Sequence, residues 1–284
     1  MSETTSQPEK LRLGGMALRN GLLIHGPTAW GAAARASDGS LEVASGAKPT
    51  FAQGRLGRAP LVRGPLRLAE AFAVIPIARR RLRTARLPLE NPPTLVFVAG
   101  TAVLSSAIRR LARAGVVRES GLALLGLVPA LAALRDGDLA AYHGVEHKAI
   151  GAYEKGSADP SAAPKEHERC GSNLIAPLLI LSVASQLVLE RMLKEPNPVS
   201  RGVAAVAGAS GAVEVFAYAE RRPGSGLGRA VHAVGDWIQR LVATREPTSE
   251  QLLVGQAALD AVLRAEGRGA VGASADPAAE PGHP

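Results

Sequence analysis

The residues of this chain best suited to hold a metal ion lie within five positions, His143-x-x-Glu146-His147. On a helix, side chains four apart share a face, so both imidazoles reach one ion. Glu146 projects near the same face. There a carboxylate can serve as general base for a metal-activated water, as in the inverted zinc motif His-x-x-Glu-His. Ile150 and Glu154 continue that face. The competing reading is a solvated helix face, which a five-residue pattern alone does not exclude. A second cluster, His167-Glu168-Arg169-Cys170, adds an imidazole and the chain's one cysteine. Thiolate and imidazole are both good zinc ligands. His143, His147, His167 and Cys170 therefore make three or four candidate ligands for a divalent metal, with zinc the expected ion. Cys170 as a small buried hydrophobe is the plainer alternative. Glu214 interrupts an apolar stretch, where a carboxylate completes the metal shell, pairs with an arginine or orients a histidine. His25 and His232 have no evident sequence partners and are expected to be structural.

These groups need elements to carry them. Leu139 to Glu154 has the Ala, Leu and Glu content of a helix, although Gly144 and Gly151 weaken it. Four apolar stretches surround it: 94–108, 121–134, 173–189 and 202–219. A straight membrane span needs about 20 residues, and runs of 10–14 more often form buried core helices or re-entrant segments. Periodicity leaves a short-spanned membrane bundle and a soluble helical core both open. Ahead of them, Leu61 to Ile77 is apolar with Arg63, Arg67 and Glu70 at helical spacing, and Arg79, Arg80, Arg81, Arg83 and Arg86 follow. That pattern suits a helix at a lipid surface. The basic cluster would hold the N-terminus in the cytoplasm, and four spans return the C-terminus there. The basic loop from Arg109 to Arg118, which should then face outward, runs against the rule.

The chain starts differently. Gly21–Ile24, Trp30–Arg35 and Leu41–Val43 read as strands, with Ser37-Asp38-Gly39-Ser40 as a turn. The expected organisation is a tail over 1–10 and a β-rich unit over 11–60. An amphipathic helix and helical bundle carrying the metal-motif loop follow over 61–222. Helices over 223–266 and a disordered tail over 267–284 complete it. Gly224-Ser225-Gly226-Leu227-Gly228 lacks the strand and the Lys-Ser/Thr of a phosphate loop and reads as a linker. Thr248 or Ser249 is placed to cap a last helix reaching about Glu266. The expected fold class is mainly α, a helical bundle with a small N-terminal β-rich unit, and the charge flanks lean towards a polytopic membrane bundle.

Lys and Arg outnumber Asp and Glu by 33 to 25, a formal charge of +8, which favours an anionic neighbour. The basic residues alternate with apolar ones and not with stacking aromatics, so a phospholipid membrane is expected and nucleic acid is not. One cysteine excludes an intrachain disulfide. Residues 1–10 lack the apolar core of a signal peptide. A homo-oligomer stays open.

The run Tyr142-His143-Gly144-Val145-Glu146-His147-Lys148, then Ala152-Tyr153-Glu154, then His167-Glu168-Arg169-Cys170-Gly171-Ser172, resembles the DUF1385 family of bacterial membrane proteins. Gly14-Gly15-Met16-Ala17, Arg63-Gly64, Glu70, Glu214 and the element Trp237, Gln239, Leu241, Thr244-Arg245-Glu246-Pro247 are also similar, so that the likeness runs from Leu13 to Leu259. The resemblance implies a polytopic, metal-dependent protein and names no substrate. The chain departs from the family at Asn20 and His25, where a Glu and an Arg are usual, in a shorter segment between Gly156 and His167, and at Glu168, where proline is usual. Three functions compete. One is a membrane zinc hydrolase with Glu146 as catalytic base. Another is a membrane scaffold with a closed structural metal site. The third is a transporter with Glu214 on its path. The position of Glu146 favours the first.

Overall fold

The computed structural model describes residues 10–51, 54–134 and 136–268. The tails expected over 1–10 and 267–284 lie outside these residues, apart from Lys10, Gly267 and Arg268. Four strands form an antiparallel meander: β1 (Gly14–Leu18), β2 (Gly21–His25), β3 (Ala29–Arg35) and β4 (Leu41–Ala47). β2, β3 and β4 fall where the residue types place them. β1 escapes notice because Gly-Gly-Met-Ala-Leu lacks the branched and aromatic residues that mark strands. Asn20 ties the β1–β2 hairpin to the segment after α1 (Arg63–Arg81), its amide donating to the Arg35 and Thr84 carbonyls at 2.8 Å each.

Both faces of the sheet are covered. Leu22, Ile24 and Ala33 share a core with Leu139, Tyr142 and Val145 of α5 (Gly137–Lys155) and with Val254, Leu259 and Val262 of α9 (Ser249–Ala265). On the other face, Leu18, Leu23 and Trp30 pack on Val74, Ala78 and Leu82 of α1 and the residue after it. The sheet is thus the plate against which the metal-motif helix is laid. Burying one large aliphatic side chain contributes about 1.5–3 kcal/mol, so the first core holds α5 firmly against the sheet and the second holds α1. Asp136 caps α5 by accepting from the Asp138 N–H, and it pairs with Arg19 at 2.6 Å.

The remaining helices are α2 (Pro92–Leu111), α3 (Val116–Leu125), α4 (Val128–Leu134), α6 (Ile175–Met192), α7 (Pro198–Arg221) and α8 (Gly226–Ile238). Among the described residues, four helical stretches are long and apolar enough to cross a membrane: Pro92–Leu111, Val116–Leu134, Gly171–Met192 and Pro198–Arg221. Each is longer than the apolar run that announces it. The second reaches back past Arg118 and Glu119 because those charges pair with each other at 3.0 Å, and Arg109 adds a 2.9 Å bond to Glu119. Glu190 takes Arg118, and Arg201 lies 3.3 Å from it. The turns 112–115 and 193–197 therefore meet at one end of the bundle. α5, α8 and the sheet join it at the other. The glycine-rich link is a helix start, not a spacer: Ser225 accepts from the Gly228 N–H and caps α8. A π-helical turn, Gln239–Ala243, then carries the chain back to α5.

Candidate metal centre

α5 presents His143, Glu146 and His147 toward a cavity of about 750 Å³. Its helix is buried almost all round, including Gly144, Val145, His147 and Lys148. Gly144 weakens the helix for a reason visible in the packing. A Cβ there would run into the Arg245 carbonyl oxygen, and the Arg245 N–H donates to the Ala140 carbonyl at 2.9 Å. The absent side chain lets the segment after the π turn lie directly on α5. That contact brings the Ala243 carbonyl to 2.8 Å from His143 Nδ1. On the next turn, His147 Nδ1 meets the Lys165 carbonyl at 2.5 Å. Each ring therefore carries its proton on Nδ1 and leaves the Nε2 lone pair free, the tautomer a metal ligand requires.

The loop after α5 brings in the third group. Lys148 is 4 % exposed, and its ammonium donates to the Ser161 and Ala163 carbonyls at 2.9 and 2.7 Å. It also pairs with Glu246 at 2.8 Å. A buried ammonium is tolerated only with such partners, so Lys148 holds the loop that leads to Cys170. Cys170 Sγ lies 3.4 Å from His143 Nε2 and accepts from the Ser172 N–H at 3.5 Å, at the start of the 3-10 turn leading into α6. One ligand atom from each of His143, His147 and Cys170 lies within 4.8 Å of the others. The buried His147 Nε2 has no hydrogen-bond partner. An orphaned imidazole nitrogen beside a second imidazole and a thiol is the pattern that a bound transition metal would satisfy.

His167 stands next to this trio but faces elsewhere. Its ring centroid is 5.7 Å from that of His147, its Nε2 is 3.1 Å from Glu154 Oε2, and its Nδ1 accepts from the Arg169 N–H at 3.2 Å. Arg169 pairs with the same Glu154 carboxylate. Glu154 thus orients His167 and Arg169. Buried Gln239 grips the His167 backbone in both directions, accepting from its N–H at 2.8 Å and donating to its carbonyl at 3.3 Å. π-helical turns are often found at functional sites, and this one supplies Gln239 and the Ala243 carbonyl together. Neither the Lys165 nor the Ala243 carbonyl is visible in a motif, because a backbone oxygen has no residue type.

Glu146 lines the cavity beside the candidate ligands and rests on β1. A Cβ added at Gly15 would come within 2.7 Å of Glu146 Cγ and 2.9 Å of its Oε1. Burial pushes Glu146 above the ordinary carboxylate range, against the pull of His143 and His167. Burial likewise lowers His147 and His167. Glu214 is far from this group in role: Arg63 and the Leu61 N–H hold its carboxylate, joining α7 to the start of α1. His25 packs across Gly14 and lies 3.4 Å from Lys48 Nζ. Burial and that ammonium lower it to about 4.

The fold and the site together define a class: mainly helical proteins with four span-length apolar helices, a small antiparallel sheet and a His-His-Cys cluster able to hold a metal on a buried helix. The chain belongs to the DUF1385 family, a family described as proteins of unknown function, whose model matches residues 93–265. All three clustered groups lie inside the match, whereas the N-terminal likeness at Gly14–Ala17 precedes it. No curated protein and no solved structure matches the chain.

Proposed function

We propose that this protein is a multi-pass membrane protein with a divalent metal centre at His143, His147 and Cys170, and that the centre is hydrolytic. The observation that carries the reading is the convergence of two Nε2 atoms and one Sγ within 4.8 Å, with both Nδ1 atoms already committed to carbonyls. Zinc suits two imidazoles and a thiolate. When bound, such an ion polarises a carbonyl and lowers the pKa of water. Three protein ligands beside a cavity leave a coordination position open, which favours a catalytic over a closed structural site. Glu146 lines the same cavity and is the group placed to take a proton from water and return it to a leaving group. His167, held by Glu154, positions the loop in this reading.

Membrane insertion rests on exposure. Val96, Val103 and Leu111 of α2 are 70–86 % exposed, as no soluble core helix would be. On α1, Leu68 and Phe72 form an exposed apolar stripe ahead of the basic cluster, the pattern of a helix lying at a lipid surface. The metal centre, the sheet and both ends of the described chain then lie on the cytoplasmic side. The held carboxylate of Glu214 favours a latch between α1 and α7 over an ion path.

The test is elemental analysis of detergent-purified protein. Wild type and Glu146→Gln are expected to carry about one zinc per chain, and His147→Ala and Cys170→Ala far less. Wild-type protein without a stoichiometric transition metal sinks the metal reading. Glu146→Gln that retains both metal and cellular function sinks the hydrolytic one.

A further inference from the structure

One wall of the cavity beside the candidate metal centre is the outer edge of the sheet. β1 is the edge strand, and five consecutive residues, Leu13 to Ala17, line the cavity. Its register with β2 fixes which backbone groups point there. Leu18 and Gly21 flank a two-residue hairpin turn, Arg19-Asn20. Residues flanking such a turn exchange hydrogen bonds, and the pattern then alternates along the pair. Gly14, Met16 and Leu18 therefore bond to β2, and Leu13, Gly15 and Ala17 direct their N–H and C=O groups away from it. The Arg19 N–H, which goes to the Arg86 carbonyl at 2.9 Å, continues this parity.

We propose that the substrate is a polypeptide, bound in extended form as a fifth strand against the outer edge of β1. This rests on the hydrolytic reading of the centre, and it names the class of bond cut as an amide. A hydrocarbon chain in the cavity would leave the Gly15 carbonyl and both backbone groups of Ala17 facing alkane, at a cost of a few kcal/mol per group. A peptide backbone satisfies them, which is the general basis of strand addition to an exposed edge. Alternate side chains of an added strand point to opposite faces. Leu68 and Ala71 of α1 would receive one set, and Ala133, Leu134 and Leu139 the other. The preferred side chains are therefore small or aliphatic. Glu146, whose Oε1 would lie 2.9 Å from a Cβ on Gly15, sits beside the added strand. Hydrolysis there breaks the amide C–N bond. The hydroxyl of water joins the acyl carbon, and Glu146 carries the proton to the departing nitrogen.

The test uses full-length protein in nanodiscs and a dye-labelled decapeptide of alternating leucine and alanine. Three versions are compared: unmodified, N-methylated at every leucine, and N-methylated at every alanine. The unmodified peptide is expected to bind, and one methylated version to bind at least tenfold more weakly than the other. Ala17→Pro, which removes an N–H not used by the β1–β2 ladder, is expected to weaken binding at least tenfold while keeping its zinc and thermal midpoint. His147→Ala should lose zinc and still bind peptide, so that failure of the metal reading and failure of strand addition are separable. Absence of peptide binding overturns the proposal. So does equal loss with both methylated peptides, or a photoactivatable palmitate that labels the cavity and displaces the peptide.

Discussion

At the residue scale, His143, Glu146 and His147 of the candidate centre each depend on a partner that no motif displays. His143 and His147 owe their tautomers to the carbonyls of Ala243 and Lys165, and Glu146 owes its position to the missing side chain of Gly15. His25 shows the same dependence with a measurable pH signature. Its folded pKa, about 4, lies below the unfolded value near 6.5, with Lys48 opposing and Glu70 assisting protonation. The unfolded chain thus binds the proton first as pH falls, so the stabilising contribution is complete above pH 6.5 and is lost between 6.5 and 4. The loss is roughly 3 kcal/mol at most. Chemical denaturation from pH 7 to pH 4 is expected to show that decline in wild type and a shallower one in His25→Gln. Parallel curves would show that His25 does not set the acid limb.

At the element scale, the loop between α5 and α6 is held in part by Lys148. Two charge-assisted hydrogen bonds from one buried ammonium secure Ser161 and Ala163, and losing bonds of this kind costs about 1.5–3 kcal/mol. Lys148→Met is expected to lower stability by that order and to weaken zinc affinity 10–100-fold, the usual effect of removing support from a ligand. A competition titration showing wild-type affinity would mean that the loop holds Cys170 unaided. The elements themselves are legible in the sequence to different degrees. Helix-forming composition reveals α5, a capping residue reveals α9, and short apolar runs with a Ser-Asp-Gly turn reveal β2 to β4. β1 is hidden by its glycines, and the spans look short because sequence displays Arg118, Glu119 and Glu190 as lone charges. Only the assembled bundle shows them neutralising one another. Within the site, the His-x-x-Glu-His spacing and Cys170 are readable, but the orientation of His167 depends on Glu154 and Gln239 and has no local signature.

At the scale of the whole molecule, the proposed topology resolves the awkward basic loop. Arg109, Arg118 and Arg201 at the far end of the bundle are paired with Glu119 and Glu190, while Arg79 to Arg86 remain beside the exposed stripe of α1. An impermeant maleimide applied to intact cells is expected to label Ala112→Cys and to spare Gly224→Cys until the membrane is opened. The reverse pattern would invert the protein. The π turn at Gln239–Ala243 has a consequence in time as well as in space. Its carbonyl is one of the two that set the ligand tautomers, yet it lies 100 residues beyond His143. A chain still being synthesised has made His143, His147 and Cys170 long before it has made Ala243. If the chain inserts and binds metal as proposed, the nascent protein passes through insertion with an incomplete centre, and completing the C-terminal turn makes the site ready to load.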